Sequence, residues 1–292
     1  MNLDPLLAVN IDATYGSRGV LRSLSIQIAQ REIVGVVGGS GAGKSTLALS
    51  LLGLLPWRGG SVKGTAFLNG LDLLSLSERQ LRGLRGRAIG LVPQSPMTAL
   101  NPAISLERHF REVWNAHREF HEEVFRNRVQ ELLREVQLPY EEEFLRRRPR
   151  QISVGQAQRV LIALALLHNP SLIIADEPTS AIDPLNQVQI LELLKRLNQK
   201  HGTAVLYISH DLVSVLRLVD RIAVLDQGRI VETLPAERIS HANEQITRDL
   251  VRTLPVDPEE ILRRRSGIDT HEVSSLIDEP TLTELGSEAM AT

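Results

Sequence analysis

The clearest chemical signal in the sequence is a glycine-rich stretch at residues 38–46. It contains Gly-Gly-Ser-Gly-Ala-Gly-Lys-Ser, which satisfies the phosphate-loop pattern G-x-x-x-x-G-K-[ST], between an apolar run at 33–37 and a helix-periodic run at 46–55. In such a loop, backbone N–H groups turn towards phosphate oxygens, the lysine reaches the outer phosphates and the next hydroxyl can ligate Mg²⁺. The predicted nucleotide-binding residues are Gly38, Gly39, Ser40, Gly41, Ala42, Gly43, Lys44, Ser45 and Thr46.

Two adjacent carboxylates end a second apolar run. Residues 171–177 read Ser-Leu-Ile-Ile-Ala-Asp-Glu, which predicts a buried strand followed by Asp176 and Glu177. Because parallel sheets bind ligands beyond the carboxyl ends of their strands, Asp176 is placed to hold Mg²⁺, directly or through water. Glu177 points elsewhere, and a carboxylate beside a metal site can orient or deprotonate an attacking water as a general base. The alternative is a pair of helix-capping side chains.

Short β-like runs alternate with helical patterns, which indicates an α/β fold with a largely parallel sheet. Between Pro102 and Arg148 the strand signals stop and the sequence becomes charged and helix-periodic, so we predict an inserted helical subdomain. The predicted strand runs are 7–11, 25–29, 33–37, 89–92, 172–175, 204–208 and 222–225. The predicted domains are a nucleotide-binding core at 1–94 and 161–240, the helical subdomain at 95–160, and a C-terminal extension at 241–292, partly helical and then loose.

Composition narrows the possible function classes. The 292 residues carry a formal net charge of −2 and no cysteine, so no global field favours nucleic acid, and disulfides and cysteine-ligated metals are excluded. The longest apolar runs, at 47–55 and 160–167, fall short of the roughly 18 residues that a membrane-spanning helix requires. The start of the chain lacks the basic region of a signal peptide. A membrane role would therefore depend on a partner.

From about residue 7 to residue 240, the order of the motifs resembles the nucleotide-binding domain of ABC transporters. Gln94 is similar to the family's Q-loop glutamine, which ligates Mg²⁺ and senses the membrane subunit, and His210 is similar to the switch histidine that contacts the γ-phosphate. Tyr15 is similar to the aromatic residue that stacks on adenine, and Asp183 to the D-loop aspartate. The residues that match the signature motif are Ser153, Val154, Gly155 and Gln156.

This resemblance implies an ATPase that uses ATP and Mg²⁺. The implied fold is a RecA-like P-loop NTPase core with an antiparallel β subdomain and an inserted α-helical subdomain. The implied catalytic residues are Glu177, His210 and Gln94, and the implied metal ligands are Ser45, Gln94 and Asp176.

The resemblance also implies that half of each catalytic site comes from a second chain. In this family two domains enclose two ATP molecules, so Ser153 and Gly155 would serve the partner's ATP. The chain departs from the family at Val154, where a glycine is usual. A β-branched residue adopts positive φ only at a cost and brings its side chain near the phosphates, so the composite site is expected to be slower or differently packed. Ordinary helical angles at Val154 would make the residue tolerable, and we expect unequal ATP sites.

Several segments resemble the dipeptide and oligopeptide importer ATPases within this family. These segments are 53–56, 70–79, 96–102 and Pro255 after a C-terminal docking segment. Pro93 and Ser95 flank Gln94 where the subfamily tends to have Phe and Asp, and the cysteine cluster found in many C-terminal extensions is absent. Nickel importers share these motifs, so the cargo stays open between peptides and nickel complexes.

The resemblance also implies a set of partners. These are a second ABC ATPase subunit, either a paralogue or a second copy, two integral-membrane permease subunits and, through the complex, an extracytoplasmic solute-binding protein, with no nucleic acid. The implied location is peripheral, at the cytoplasmic face of the inner membrane. One rival is a soluble ABC protein acting on ribosomes or DNA, but the second cassette, long coiled coil or zinc hook of such proteins is not found in this sequence. Another rival is a module that binds ATP without turnover, an option that Val154 keeps open.

A basic cluster precedes the signature match. It comprises Arg146, Arg147, Arg148 and Arg150. Acidic residues at 141–143 lie close by in the sequence, so we predict ion pairs between the two groups. Contact with a membrane subunit is the alternative.

Overall fold

The structure, a computed structural model, describes residues 4–117 and 121–265. Its strands are β1 (Leu7–Tyr15), β2 (Arg18–Ile28), β3 (Ile33–Val37), β4 (Gly60–Leu68), β5 (Leu71–Asp72), β6 (Ile89–Val92), β7 (Leu172–Asp176), β8 (Ala204–Ser209), β9 (Arg221–Asp226) and β10 (Arg229–Pro235). Its α-helices are α1 (Lys44–Leu51), α2 (Glu78–Leu84), α3 (Pro96–Ala99), α4 (Leu106–Asn115), α5 (Glu122–Glu135), α6 (Glu142–Arg146), α7 (Val154–Ala165), α8 (Pro184–His201), α9 (Leu212–Leu218), α10 (Gln245–Arg252) and α11 (Pro258–Arg264). Within the described ranges, no helix has the length and apolar character needed to cross a membrane.

The larger sheet has the strand order β10-β9-β3-β8-β7-β6, and all neighbours except β10 and β9 pair in parallel. Strands β3 and β8 are buried at every residue, as expected for parallel strands that are covered on both faces. The register pairs Val37 with Ser209, Tyr207 with Ala175, and Ala175 with Val92. The carboxyl ends of β3, β8, β7 and β6 therefore lie side by side along one edge.

The smaller sheet is antiparallel, with the order β2-β1-β4-β5, and its last two strands were not predicted from the sequence. Strand β4 contains glycine and lysine, and only Ala66 and Leu68 on it are buried, so its apolar alternation is too short to recognise. Gly64 is required there, because its φ is +112° and an added Cβ would lie 2.1 Å from the carbonyl oxygen of Asn10 on β1.

Helices α3 to α7 lie between β6 and β7 in the chain, and two of them cap each other. Arg128 of α5 donates to the carbonyl oxygen of Leu166 at the end of α7, over 2.9 Å. Arg159 of α7 donates to the carbonyl oxygen of Val136 at the end of α5, also over 2.9 Å. Guanidinium groups satisfy carbonyls that a helix end leaves unpaired and complement its partial negative charge. These contacts therefore join the C-terminal end of each helix to the other helix.

The basic cluster before the signature forms the ion pairs predicted for it. Arg146 pairs with Glu142, and Arg147 pairs with Glu143 over 3.0 Å. Arg148 and Arg150 of the same cluster are exposed. Two of the four arginines in the cluster, Arg146 and Arg147, therefore form the predicted ion pairs.

The C-terminal helices α10 and α11 are tied to the larger sheet. Glu232 of β10 accepts hydrogen bonds from the backbone N–H groups of Asn243 and Glu244, over 2.8 and 3.2 Å. Arg265, after α11, donates to Asp220 over 3.1 Å. The predicted loose tail, from residue 266 onwards, lies outside the described residues.

Strand β8 separates β3 from β7 in the larger sheet, and its residue Leu206 is fully buried. Replacing Leu206 therefore tests how much this strand contributes to the stability of the protein. We expect Leu206→Ala to lower the free energy of unfolding by about 2–5 kcal/mol, through lost apolar burial and the cavity that remains. Denaturant titration of the full chain measures this change. The control is Leu71→Ala, which removes a side chain that is 44% exposed and should change the value by about 0.5 kcal/mol or less. Equal decreases in the free energy of unfolding for the two variants would contradict the central position assigned to β8.

Candidate functional site

The phosphate loop joins β3 to α1 at the carboxyl edge of the larger sheet. Gly43, the N-cap of α1, has φ +113°, and Gly41 has φ +78°, values that residues with a side chain rarely adopt. At Gly38 the limit is space, because an added Cβ would lie 2.2 Å from the carbonyl oxygen of Leu225 on β9. The glycines therefore permit the turn that brings the N-terminal N–H groups of α1 to this edge.

Lys44, the first residue of α1, is only 7% exposed, and its ammonium group is held by the loop. Its Nζ donates to the carbonyl oxygens of Gly38 and Gly39, over 2.9 and 3.0 Å. It also lies 3.9 Å from Oε1 of Glu177. The loop thus places a positive charge opposite the carboxylate that follows β7.

Ser45 and Asp176 bring two oxygen ligands together. The Ser45 hydroxyl donates to Oδ1 of Asp176 over 3.4 Å. Burial raises the pKa of Asp176, the Ser45 hydrogen bond opposes this rise, and the negative charge of Glu177 adds to it. Mg²⁺ fits such a pair, because it takes one or two hard protein oxygens and completes its shell with phosphate and water. Among the described residues, no group of three or more His, Cys, Asp or Glu side chains is arranged to hold a metal ion.

Glu177 follows β7 in a left-handed conformation, with φ +48°. Its backbone N–H donates to the carbonyl oxygen of Ile208 on β8, over 2.8 Å. Gln94, after β6, donates from Nε2 to Oε2 of Glu177 over 3.1 Å, and Nδ1 of His210, after β8, lies 3.2 Å from the same oxygen. Residues from the ends of three neighbouring strands therefore meet at one carboxylate. Backbone strain of this kind concentrates at functional sites.

A pocket of about 480 Å³ opens at this edge. Six of the predicted loop residues line it together with Gln94, Glu177 and His210, and so does Val20 of β2, which the sequence did not indicate. The six are Ser40, Gly41, Gly43, Lys44, Ser45 and Thr46, whereas Gly38, Gly39 and Ala42 are not among the described residues that line the pocket. A single apolar residue on a strand carries no chemical signal, so only the fold reveals Val20. Tyr15, at the end of β1, is not among the described residues that line this pocket.

The signature residues lie apart from the pocket, at the start of α7. Ser153 is the N-cap: its hydroxyl accepts from the N–H of Gln156 over 3.1 Å, and the Gln156 side chain accepts from the N–H of Ser153 over 3.0 Å. Val154 is the first helical residue, 37% exposed, and it does not have a positive φ. The backbone strain considered for Val154 is therefore absent, and what distinguishes it from glycine is an exposed isopropyl group.

Asp183 caps α8, outside the pocket. Its carboxylate accepts from the side-chain amide of Asn186 over 2.7 Å and from the N–H of that residue over 3.1 Å, and these bonds lower the pKa of Asp183. The next residue, Gln187, donates to the carbonyl oxygens of Thr179 and Ile182, over 3.1 and 2.9 Å. The sequence did not indicate either amide, because polar residues in a first helical turn are common.

Comparison with known proteins connects this geometry to a family. The family model described as ABC transporter matches residues 21–180, more than half of the chain. The chain belongs to the ABC transporter family. The ABC resemblance and the P-loop fold class predicted from the sequence are thereby confirmed. The chain carries the ATPase cassette of this family.

Relatives and a solved structure support the same membership. The chain is 41% identical over 244 residues to the peptidoglycan transport ATP-binding protein YejF of Agrobacterium fabrum, covering 82% of this chain and 45% of that protein. It is 39% identical over 234 residues to the oligopeptide transport ATP-binding protein OppD of Bacillus subtilis, covering 80% of this chain and 65% of that protein. The chain thus spans less than two thirds of either relative. A dimeric post-hydrolysis structure of the ATP-binding cassette MJ0796, bound to ADP and Pi, matches with TM-score 0.68 at 31% identity, covering 79% of this chain and 98% of that one.

An Asp176→Asn variant tests whether the half-buried Asp176 carboxylate destabilises the fold while it serves nucleotide binding. Because the pKa of Asp176 is raised on folding, the free energy of unfolding falls as pH rises from the ordinary value of 3.8 through the raised pKa, and the full loss is present above it. Without nucleotide, we expect Asp176→Asn to melt at a higher temperature than wild type near pH 7, with the gap narrowing towards about pH 4. Mg²⁺-dependent nucleotide binding should be lost.

Thermal melts across this pH range, with Asp4→Asn as control, check the prediction. Asp4 is exposed, so its replacement should leave the melting curve unchanged at each pH. An Asp176→Asn protein that melts at or below the wild-type temperature near neutral pH would show that the ionised Asp176 carboxylate does not destabilise the folded state.

Proposed function

We propose that this chain is the ATP-hydrolysing subunit of an ABC importer, in which ATP binding and hydrolysis between two cassettes drive the movement of membrane permease subunits. The observation that carries the proposal is the meeting of Lys44, Gln94 and His210 around the Glu177 carboxylate, beside the phosphate loop. A carboxylate held at this place suits hydrolysis of a nucleoside triphosphate, because it can act on a water that approaches the outer phosphate.

The phosphate loop and α1 would bind the triphosphate. Backbone N–H groups at the N-terminus of α1 and the ammonium group of Lys44 meet its negative charge. Ser45, Asp176 and Gln94 would hold Mg²⁺, which when bound neutralises charge on the outer phosphates. Tyr15 would stack on adenine as proposed from the resemblance, with Val20 at the pocket wall.

Glu177 is the general base of the proposed reaction. The water oxygen bonds to the γ-phosphorus, the bond from that phosphorus to the bridging oxygen breaks, and the water proton passes to the Glu177 carboxylate. Gln94 and His210 fix the carboxylate through Oε2, and His210, 58% exposed, can turn to the γ-phosphate. ATP hydrolysis would therefore depend on the strand ends that bring these three side chains to one place.

A second cassette completes the proposed site. Ser153, Val154, Gly155 and Gln156 lie outside this chain's own pocket, so they would serve the nucleotide of the partner, with Asp183 at the same interface. The hydroxyl of Ser153 and the N-terminal N–H groups of α7 suit a γ-phosphate. The dimeric arrangement described for the MJ0796 cassette supports this proposal. The partner is a paralogue or a second copy of this chain.

The relatives' names support peptides as the proposed cargo. One is described as an oligopeptide transport protein and another as a peptidoglycan transport protein, so we propose di- or oligopeptides, with nickel or another small solute as the alternative. Two permease subunits and an extracytoplasmic solute-binding protein would complete the importer, with this chain peripheral at the cytoplasmic face of the inner membrane. A soluble, non-transport ABC protein is less favoured, because the relatives named here are transport proteins.

Glu177→Gln tests the proposed chemistry. Since glutamine cannot accept the water proton, we expect steady-state ATP hydrolysis by the assembled complex to fall by about 10²–10⁴-fold while ATP still binds. Phosphate release and nucleotide binding are measured on the same preparation. The control is Glu192→Gln, which alters a surface pair with Arg196 on α8 and should leave turnover unchanged. Wild-type turnover in Glu177→Gln would reject the base assignment.

Val154 generates a separate expectation about the two ATP sites. Its exposed isopropyl group lies at the N-terminus that would approach the partner's γ-phosphate, so we expect the composite site built on this signature to hydrolyse ATP more slowly than its counterpart. Val154→Gly should raise that slower rate. Single-turnover assays with Lys44→Ala, or its equivalent in the other cassette, isolate each site. The expectation applies to a complex with a paralogue, because two copies of this chain would form two identical sites. Equal rates in the two sites of such a purified wild-type complex would refute it.

A further inference from the structure

Four buried hydroxyl groups form a chain of hydrogen bonds beside the candidate site, which we call the hydroxyl chain. They belong to Thr179, to Tyr207 and Ser209 of β8, and to Ser214 of α9. Each of these residues is at most 4% exposed, and none is among the described residues that line the pocket. Because a buried hydroxyl without a partner destabilises a fold, the contacts among the four indicate which segments they hold together.

Each hydroxyl can donate only one hydrogen, and this limit fixes the direction of every bond in the hydroxyl chain. The Ser214 hydroxyl donates to the carbonyl oxygen of Asp211 over 2.8 Å, and the Tyr207 hydroxyl donates to Ser214 over 3.3 Å. The hydrogen of Tyr207 is thereby used, so Thr179 is the donor in its 3.2 Å contact with Tyr207. Likewise Ser209 donates to Ser214 over 3.4 Å, while it accepts from the N–H of Asp211 over 3.0 Å. All the hydroxyl hydrogens are therefore donated towards the turn between β8 and α9.

This turn carries His210. The residues on either side of it, Ser209 and Asp211, are both bonded to the hydroxyl chain. The His210 side chain itself is 58% exposed, and its Nδ1 lies 3.2 Å from Oε2 of Glu177. At the other end of the hydroxyl chain, Thr179 comes two residues after Glu177. The hydroxyl chain therefore joins, within the core, the two backbone segments whose side chains meet at the pocket.

Tyr207 is the member of the hydroxyl chain that bridges the two segments. Burial raises the pKa of its hydroxyl above the ordinary value of 10.0, although the hydrogen bonds with Ser214 and Thr179 act in the opposite direction. The group is therefore a neutral donor near pH 7. Its neighbours across the sheet are Gly35 on β3 and Ala175 on β7, small residues that leave space for the ring. The hydroxyl is thus held at one place by the packing of its own ring.

We propose that Tyr207 is a positioning residue for hydrolysis, which holds the turn of His210 at a fixed distance from the backbone that follows Glu177. The inference rests on the proposed function, because it needs both side chains to act on ATP. It adds a residue outside the pocket on which the geometry of the base depends. Such a residue can matter to the reaction because a displacement of about 1 Å in a reacting group can lower its rate by about 10²-fold.

Tyr207→Phe tests the inference in the assembled complex, since phenylalanine keeps the ring and removes only the hydroxyl. We expect kcat for ATP hydrolysis to fall by about tenfold, as for a displacement of less than 1 Å. KM for ATP should change by less than about twofold, because Tyr207 is not among the described residues that line the pocket. The melting temperature should fall by about 2–6 °C through the loss of one buried hydrogen bond.

Thr179→Val removes the same hydrogen bond from its other side and should lower kcat to a similar extent. The double variant Tyr207→Phe/Thr179→Val should lose no more than either single variant, because both changes break one bond. An additional loss of about tenfold in the double variant would overturn the inference.

A Glu177→Gln background separates positioning of the base from stability of the core. The proposed base is absent there, so Tyr207→Phe should lower the residual rate by less than about twofold. A loss of about tenfold in both backgrounds would show that Tyr207 acts on the fold and not through Glu177, and would overturn the inference.

The matched control is Tyr140→Phe, which removes the hydroxyl of a half-buried tyrosine before α6 and should keep the wild-type kcat. Wild-type kcat in Tyr207→Phe, beside the expected loss in Glu177→Gln, would overturn this inference and leave the proposed function intact. A raised KM with unchanged kcat would do the same, because Tyr207 would then serve nucleotide binding. Wild-type kcat in Glu177→Gln would overturn the proposed base and, with it, this inference.

Discussion

The parallel register of four neighbouring strands is the constraint on which the rest of the structure depends. Because β6, β7, β8 and β3 run in the same direction and pair in sequence across the sheet, the residues that follow them emerge at one edge. Gln94, Glu177, His210 and the phosphate loop are far apart in the chain, yet each lies just beyond one of these strands. A one-residue slip in any pair would turn side chains to the opposite face and disperse the site.

The site concentrates groups that are unfavourable for folding by themselves. Asp176 is a half-buried carboxylate whose pKa is raised by burial and further by the neighbouring carboxylate of Glu177, and Glu177 has a backbone conformation that non-glycine residues avoid. Lys44 and the N-terminus of α1 provide the compensating positive charge. The anionic phosphates of ATP would complement the positive half of this charge pattern, and the proposed Mg²⁺ would complement the carboxylate half.

The chemistry of the chain is divided between two surfaces. The pocket collects the residues that would act on this chain's own nucleotide, whereas the signature residues stand at the exposed start of α7. The capping box of Ser153 and Gln156 explains how the segment keeps its shape without burial, because it satisfies the N–H groups that the helix start leaves free. The same geometry gives Val154 helical angles, so its substitution for glycine changes the surface and not the backbone.

The sequence by itself determined the local chemistry: the phosphate loop between a strand and a helix, the paired carboxylates after a buried strand, and the α/β class. Those features depend on residue types within a few positions, and the matching family model supports the fold class. The strands β4, β5 and β10 escaped sequence analysis because glycine and charged residues in β4, the two-residue length of β5 and the charged residues in β10 leave too little apolar alternation. Only the tertiary structure decided that Gln94 and His210 share Oε2 of Glu177 and that Val20 lines the pocket. Such contacts join residues that are distant in the chain, and their existence depends on strand register and helix packing, which no local pattern encodes.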